Sequence, residues 1–329
     1  MYLAADLFMP LPIGKKSIEV EIPKGTTFRQ AVEILSKERL IRNKNSFIFL
    51  GRISGLDRKV KAGFYSICGS VSPLDILKML KKGQIIEYEI TIVEGDSLRE
   101  IEAKLSEEGI ISREEFERLS ADEDFLFFHD IDTTTFEGYL FPDTYRIPKG
   151  MDPEDAINMM INRMREQYSG ELLERTYEIG LSEREVLTLA SIIEKEAETD
   201  RERPIISAVY HNRLKKGVPL QADPTSIYGI KSSRKKITGK DLRRKTPYNT
   251  YIIKGLPPGP ICSPGIKSIT AALYPAKVPY IYFVSNGDGT HTFSITLREH
   301  MAAVRTQREK REMEEKEKSE EYTGENGNS

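Results

Sequence analysis

The N-terminal half of the chain contains an internal repeat, which limits the folds that it can adopt. The segment V-E-I-P-K-G-T-T-F-R-Q-A (residues 20–31) matches I-T-I-V-E-G-D-S-L-R-E-I (residues 90–101). Each copy has the pattern of a strand, a glycine turn, a capped helix, a second helix, a strand and a closing helix with proline near its start. We therefore expect two similar β-α-α-β units, over residues 17–84 and 85–165.

A second strong pattern predicts a helix that begins after Ser182 and ends near Ala197. Ser182 and Glu185 have the spacing of a capping box, in which each satisfies a free N–H group of the other's backbone. Apolar residues then recur at intervals of three and four and define a buried face. They are Val186, Leu189, Ala190, Ile193 and Ala197.

The end of this helix carries the sequence Glu194-Lys195-Glu196. At 100° per residue, Lys195 is expected to point to solvent, and the two glutamates fall on opposite shoulders of the apolar face. A carboxylate at such a border loses water, which raises its pKa and lets it hold a proton near neutral pH, as a general acid must. Runs of Glu and Lys are more often solvated helix faces, and geometry alone does not choose between Glu194 and Glu196.

Loops rich in proline and glycine follow a further predicted helix that begins at Pro204 and ends at Gly217. Such loops are conformationally fixed and suit the presentation of polar and aromatic side chains to a polar ligand such as a sugar. Any of these side chains could instead fix its own loop by bonding to the backbone. The candidate ligand-binding residues are Gln221, Asp223, Tyr248, Asn249 and Tyr251.

Composition excludes some classes of function. A formal net charge of −2 leaves no electrostatic footprint for nucleic acid. Four histidines and two cysteines form no pattern of metal ligands, so the composition indicates no metal site. A disulfide between the distant Cys68 and Cys262 has no support in the sequence.

Both termini are less informative. Residues 1–16 include an apolar stretch that is short and broken by Pro10 and Pro12, so it cannot span a bilayer, and it lacks the features of a signal peptide. Residues 306–329 are rich in Glu and Lys. We expect this segment to extend the last helix at most briefly and otherwise to be a charged, disordered tail.

Several long motifs occur in an order that resembles the MltG/YceG family of endolytic murein transglycosylases. The resemblance covers roughly residues 17–305. The motifs read S-I-I-E-K-E, H-N-R-L, L-Q-A-D-P-T-S-I-Y-G, Y-N-T-Y-x-I-x-G-L-P-P-G-x-I-x-S-P-G, A-A-L-Y-P-A-K-x-P-Y-x-Y-F-V and G-x-H-T-F, and E-G-Y-L-F-P-D-T-Y lies upstream of them.

The resemblance implies an α+β protein, with LysM-like modules at the N-terminus and a mixed α/β catalytic domain over residues 166–305. It implies that Glu196 is the catalytic residue and that Glu194 has no catalytic role. The reaction would cleave the bond between N-acetylmuramic acid and N-acetylglucosamine in peptidoglycan and leave a 1,6-anhydro end. One carboxyl group would suffice, because the C6 hydroxyl of the substrate would act as the nucleophile, and neither a metal nor an organic cofactor would be required.

The resemblance also implies a setting. The substrate would be nascent peptidoglycan strands, and the partners would include the machinery that synthesises them. Family members usually carry an N-terminal membrane helix, so residues 1–16 would follow an anchor that this chain lacks. The catalytic part would then lie outside the cytoplasm, at the cell (inner) membrane.

Two alternatives remain open at this point. An ordinary muramidase would hydrolyse the same bond and would need a second carboxylate, for which Asp223 is the nearest candidate. A catalytically silent scaffold would bind peptidoglycan without cutting it. Whether the first LysM-like module binds glycan or only supports the fold is likewise open.

Overall fold

The structure is a computed structural model that describes residues 9–12, 17–55, 60–230 and 237–325, without the side chains of residues 12, 311 and 314–325. The described chain is α+β, with helices and small antiparallel two-stranded sheets. It divides into two compact units. The first comprises the described residues within Met1–Thr91, Lys104–Ser112 and Thr144–Ala156, and the second those within Ile92–Ala103, Arg113–Asp143 and Ile157–Ser329.

The first copy of the repeat folds as the sequence predicts. The short strand β1 (Leu11–Pro12) precedes it. Its own elements are β2 (Ile18–Ile22), α1 (Phe28–Lys37), α2 (Lys44–Ile53), β3 (Gly63–Ile67), β4 (Ser70–Val71) and α3 (Pro73–Lys82). Strand β2 pairs antiparallel with β3, and β1 pairs with β4. Capping boxes begin α1, at Thr27 and Gln30, and α3, at Ser72 and Asp75. Side chains from β2, β3 and all three helices form one apolar core.

The second copy begins with β5 (Glu87–Thr91), α4 (Leu98–Glu107) and α5 (Arg113–Ser120). It continues with α6 (Glu123–Phe128), β6 (Thr144–Pro148) and α7 (Pro153–Gln167). The two copies share a strand register, because Val20 lies opposite Tyr65 in the first sheet and Ile90 lies opposite Tyr145 in the second. Repeated sequence therefore produces repeated strand pairing.

The second unit is built around α9 (Glu183–Glu196), which packs against α12 (Ile266–Leu273). The remaining elements are α8 (Glu171–Glu178), α10 (Arg203–Lys216), a short 3-10 helix (Asp223–Ser226), α11 (Gly239–Leu242), β7 (Tyr282–Ser285), β8 (His291–Ser294) and α13 (Leu297–Glu325). Strands β7 and β8 form an antiparallel hairpin. The predicted capping box of α9 is confirmed, with both Ser182 and Glu185 bonded as expected.

The H-N-R motif anchors α10 through backbone carbonyl groups. The His211 ring nitrogen Nε2 lies 2.8 Å from the carbonyl oxygen of Ala272. The Asn212 side-chain amide donates to the carbonyl groups of Val278 and Tyr280, both at 2.9 Å. These two side chains therefore stabilise the fold that surrounds the candidate site.

Three expectations differ from the structure or are limited by it. The strands of the second copy group with the first unit, so the division does not follow the predicted boundaries after residues 84 and 165. Helix α13 continues through Glu325, which corrects the expected disorder over residues 306–325, since Glu, Lys and Arg are good helix formers. Residues 326–329 and most of the predicted stub at 1–16 lie outside the described residues.

Cys68 and Cys262 are both free thiols.

One further observation concerns membranes. None of the helices in the described ranges is both long enough and apolar enough to cross a bilayer.

The turn at Gly138 combines a left-handed backbone with a close packing contact. Its φ is +83°, and a Cβ atom there would lie 2.4 Å from Cβ of Pro260. Gly180 has a similar φ of +70° but open space around it.

We predict that Gly138→Ala destabilises the protein by roughly 3 kcal/mol or more, because it adds a steric clash to the cost of a left-handed backbone. The matched control Gly180→Ala should lose only about 1 kcal/mol. Denaturant unfolding monitored by circular dichroism gives both values. Equal losses in the two variants would contradict the packing described here.

Candidate active site

Helix α9 carries apolar residues into the core of the second unit and ends in three consecutive charged residues. Its residues from Val186 to Ile193 are all buried. The next three, Glu194, Lys195 and Glu196, are partly exposed. Each of the three has a different environment, and the difference decides what each can do.

Glu194 is held in a buried ion pair. Its carboxylate oxygen Oε1 accepts a hydrogen bond from the Arg203 guanidinium at 2.9 Å, and Oε2 accepts one from the backbone N–H of Gly265 at 2.9 Å. The two charged side chains are only 5% and 10% exposed. A carboxylate with both oxygens occupied in this way fastens α9 to α10 and to the loop before α12, which is a structural role.

The helical wheel predicted that Lys195 points to solvent. In the structure its side chain does not extend freely into solvent. Its side chain is half-buried, and a Cβ atom at Gly95 would lie 3.7 Å from Nζ. Its charge also lowers the pKa of the buried Glu137 carboxyl. The prediction is wrong because a segment distant in sequence, around Gly95, covers this side of the helix end.

Glu196 has the electrostatic environment of a general acid. Loss of water raises the pKa of its carboxyl to about 8, and the negative charge of Asp223 adds to the rise. The Tyr210 hydroxyl and the backbone N–H of Asp223 lower the same pKa, but by less. The carboxyl group is therefore largely protonated at neutral pH.

Tyr210, on α10, acts on this carboxyl group through its hydroxyl and was not among the residues that the sequence singled out. It is 1% exposed, and burial together with the Glu196 charge raises its pKa. Among the described residues its hydroxyl has no partner at full hydrogen-bond geometry, so its contact with Glu196 falls short of a well-formed bond. A buried tyrosine hydroxyl needs a polar partner, and that requirement is the signal that could have found it.

Asp223 and Tyr251 lie together, and the charges of Asp223 and Glu196 act on this group. The Tyr251 hydroxyl donates a hydrogen bond to Asp223 Oδ1 at 2.5 Å. Burial and the Asp223 carboxylate raise the pKa of Tyr251, and the Glu196 charge contributes. Asp223 is exposed, whereas Tyr251 is half-buried. These two side chains can therefore contact a ligand that approaches Glu196.

Gln221 is near this group but is tied to its own loop. Its backbone has a φ of +53°, which is rare for a residue other than glycine. The Arg213 guanidinium donates to Gln221 Oε1 at 2.9 Å and to the carbonyl oxygen of Leu220 at 2.7 Å. The backbone N–H of Gln221 donates to the carbonyl of Thr250 at 3.1 Å. Arg213, the third residue of the H-N-R-L motif, thus holds the loop that leads to Asp223.

Asn249 lies inside the protein, so the prediction that it lines the site is wrong. Its side chain is fully buried, and its amide donates to the carbonyl groups of Leu242 at 3.1 Å and Arg244 at 2.7 Å. Its Oδ1 accepts the backbone N–H of Tyr251 at 3.0 Å. Asparagine satisfies buried backbone groups as readily as it binds ligands, which is why the residue type alone misled.

Tyr248 belongs to a second group of side chains. Its ring lies 4.5 Å from that of Tyr228, measured between centroids, and the charge of Glu137 acts on its hydroxyl. The structure therefore brings Asp223 and Tyr251 to Glu196, attaches Gln221 to the supporting loop, and places Tyr248 with Glu137 and Tyr228.

Metal ligation has no candidate within the ranges that the structure describes, where no group of three or more His, Cys, Asp or Glu side chains could hold an ion. The site described here offers one protonated carboxyl group, a nearby carboxylate and two tyrosine hydroxyls. Such a set can transfer protons to and from a bound polar ligand.

Comparison with known proteins assigns the family. The model of the YceG-like family matches residues 20–306, so the chain belongs to this family. The endolytic murein transglycosylase of Bacillus subtilis is 33% identical over 310 residues, which cover 88% of this chain and 84% of that protein. The enzyme of the same name from Streptococcus pneumoniae strain R6 is 29% identical over 314 residues, which cover 85% of this chain and 56% of that protein.

A solved structure supports the same assignment. The crystal structure of a YceG-like protein from Listeria monocytogenes is 32% identical to this chain and superposes with a TM-score of 0.61. It covers 88% of this chain and 99% of its own.

The shifted pKa of Glu196 predicts a pH-dependent gain in stability on substitution. Because the folded-state pKa lies above the ordinary 4.5, the folded protein holds a proton that the unfolded chain releases, so stability is lost as pH rises from about 4.5 to about 8. Glu196→Gln removes this loss. Its stability relative to wild type should increase with pH and level off above about 8, by at most about 5 kcal/mol in total.

Urea unfolding of both proteins at pH 5 and pH 9 measures the change. A stability difference that is the same at the two pH values would show that Glu196 is an ordinary solvated carboxylate.

Proposed function

We propose that this protein cleaves the glycan strands of peptidoglycan as an endolytic lytic transglycosylase, with Glu196 as its single general acid and base. The class of enzyme, a murein transglycosylase, follows from the YceG-like family and from the name that its curated relatives share. The observation that carries the proposed mechanism is the raised pKa of Glu196.

The environment of Glu196 supports both halves of the reaction. In the first half, the neutral carboxyl group donates its proton to the glycosidic oxygen, and the bond from that oxygen to C1 of N-acetylmuramic acid breaks. In the second half, the carboxylate takes the proton of the C6 hydroxyl, whose oxygen forms the new bond to C1. The enzyme ends protonated as it began, and the product carries a 1,6-anhydro ring.

The neighbours of Glu196 have opposite effects that suit these two halves. The Asp223 carboxylate and the loss of water favour the acid before the reaction. The Tyr210 hydroxyl and the Asp223 backbone N–H favour the carboxylate, which must persist until it recovers a proton. We place Asp223 and Tyr251 at the substrate because they are the predicted polar residues that lie beside Glu196.

Hydrolysis is the second candidate reaction, because the site does contain a second carboxylate. Asp223 is exposed and acts electrostatically on Glu196, so it could activate a water molecule. The Tyr251 hydroxyl, however, occupies Asp223 Oδ1 at 2.5 Å. We therefore prefer a supporting role for Asp223. A silent peptidoglycan-binding scaffold is the third possibility, and it would not require a protonated Glu196.

Three further parts of the proposal concern the setting. We propose that the repeat units over residues 17–165 are LysM-like. We also propose an N-terminal anchor in the full-length protein, with the catalytic part outside the cytoplasm at the cell membrane. There the enzyme would meet newly made strands and the machinery that synthesises them.

Digestion of purified glycan strands, followed by mass spectrometry, distinguishes these reactions. A transglycosylase leaves anhydro ends that are lighter by one water than the reducing ends left by a hydrolase. Endolytic cutting shortens long strands to intermediate lengths before disaccharides accumulate. Steady release of disaccharide from the start would overturn the endolytic proposal, and binding without soluble products would support the scaffold.

We predict that Glu196→Gln lowers the rate of strand cleavage by at least ~10²–10⁴-fold, because the amide cannot donate and recover a proton. Glu194→Gln is the matched control. It breaks the buried pair with Arg203 and should cost about 3–5 kcal/mol of stability, yet the folded fraction should cleave at nearly the wild-type rate. Rates measured well below each variant's Tm separate the two effects. An active Glu196→Gln variant would remove Glu196 from the mechanism.

A further inference from the structure

Glu137 is a buried carboxylate outside the group around Glu196. It is 3% exposed. The backbone N–H of Leu98, the first residue of α4, donates to its two carboxylate oxygens at 2.9 and 3.1 Å. The Tyr228 hydroxyl donates to Oε2 at 2.9 Å. The Leu98 N–H and the Tyr228 hydroxyl are both donors, so these contacts fit a carboxylate. A neutral acid would add a buried O–H group that needs an acceptor.

The groups around Glu137 come from several elements. Burial raises its pKa to about 7, while the Leu98 N–H, the Tyr228 hydroxyl and the charge of Lys195 lower it. Glu100, on α4, raises it by repulsion. The two other titratable groups on which its charge acts are Tyr248 and Cys262.

A series of contacts connects Glu137 to the candidate active site. Tyr228 binds Glu137 and contacts the Tyr248 ring, 4.5 Å away between centroids. Tyr248 and Tyr251 belong to one loop, and the Tyr251 hydroxyl bonds to Asp223 at 2.5 Å. Asp223 and Tyr228 belong to one segment, residues 220–229. Glu137 therefore fixes one end of the segment whose other end lies beside Glu196.

We propose that ionised Glu137 is a positioning residue, which holds residues 220–229 in the arrangement that places Asp223 against Glu196. The expected effect of Glu137 on catalysis rests on the proposed function. The expected effect of Glu137 on residues 220–229 does not depend on catalysis. Glu137 touches no reacting atom and acts only through Tyr228.

The inference predicts a bell-shaped dependence of kcat on pH. Activity requires the proton on Glu196, whose pKa is about 8, and the ionised form of Glu137, whose pKa is about 7. Activity should therefore rise through about pH 7 and fall through about pH 8. A role in structural support alone would give no rise near pH 7.

Three variants test this inference, with the rate of cleavage of purified glycan strands measured from pH 5.5 to 9.5. Glu137→Gln should lower kcat at pH 7.5 by about tenfold or more and abolish the rise near pH 7, while the fall near pH 8 remains. Tyr228→Phe removes the hydrogen bond through which Glu137 acts, so it should reproduce the profile of Glu137→Gln, without the rise near pH 7. The control Glu102→Gln alters another buried carboxylate on α4, paired with Arg113 at 2.8 Å, and should leave the profile unchanged.

Amide hydrogen exchange of residues 220–229 tests the inference without activity. Corrected for its intrinsic pH dependence, protection in the wild type should increase by about tenfold between pH 6 and pH 8.5, and Glu137→Gln should show low protection at both. Equal protection in wild type and Glu137→Gln, or an unmoved profile in Tyr228→Phe, would overturn the inference. Absence of strand cleavage by the wild type would instead overturn the proposed function, and hydrogen exchange would still decide on Glu137.

Discussion

The loss of water around the Glu196 carboxyl group is the interaction on which the candidate site depends. The apolar residues of α9 draw the helix into the core of the second unit, and its last turn has to end close to that core. A carboxylate there is poorly solvated, and the partners that favour its charged form do not compensate fully. The fold itself thus creates a carboxyl group that is protonated at neutral pH.

Three consecutive residues show how strongly the environment decides chemical capability. Glu194 faces Arg203 and becomes half of an ion pair. Lys195 lies near Glu137 and supports its charge. Glu196 has no cation among the groups that shift its pKa, and the charge that it meets is the negative one of Asp223. Of the two glutamates, only Glu196 therefore has the environment of a proton donor.

Local patterns predicted local structure well. The capping box at Ser182, the buried face of α9 and the repeat of the N-terminal half all depend on spacing within a short segment, and the structure contains each of them. Patterns did not reveal contacts between distant segments. The cover over Lys195 comes from around Gly95. Patterns also did not reveal how a loop folds on itself, and the buried position of Asn249 depends on carbonyl groups of its own loop.

The same limit explains the residues that sequence patterns missed. Nothing in its local sequence marks Tyr210 as different from a core residue, and Glu137 stands out only as the first residue of the E-G-Y-L-F-P-D-T-Y motif. Each gains its significance from a partner in another segment. Whether a buried polar side chain is structural or functional depends on what faces it in three dimensions. For Tyr210 that partner is Glu196, and for Glu137 it is Tyr228.

The central claim is that Glu196 holds its proton at neutral pH. The most direct test is the titration of its side-chain carboxyl carbon by NMR, in protein labelled with ¹³C at glutamate and assigned by comparison with the Glu196→Gln variant. The account predicts an apparent pKa of about 8. A value near 4.5, the ordinary value for glutamate, would contradict it.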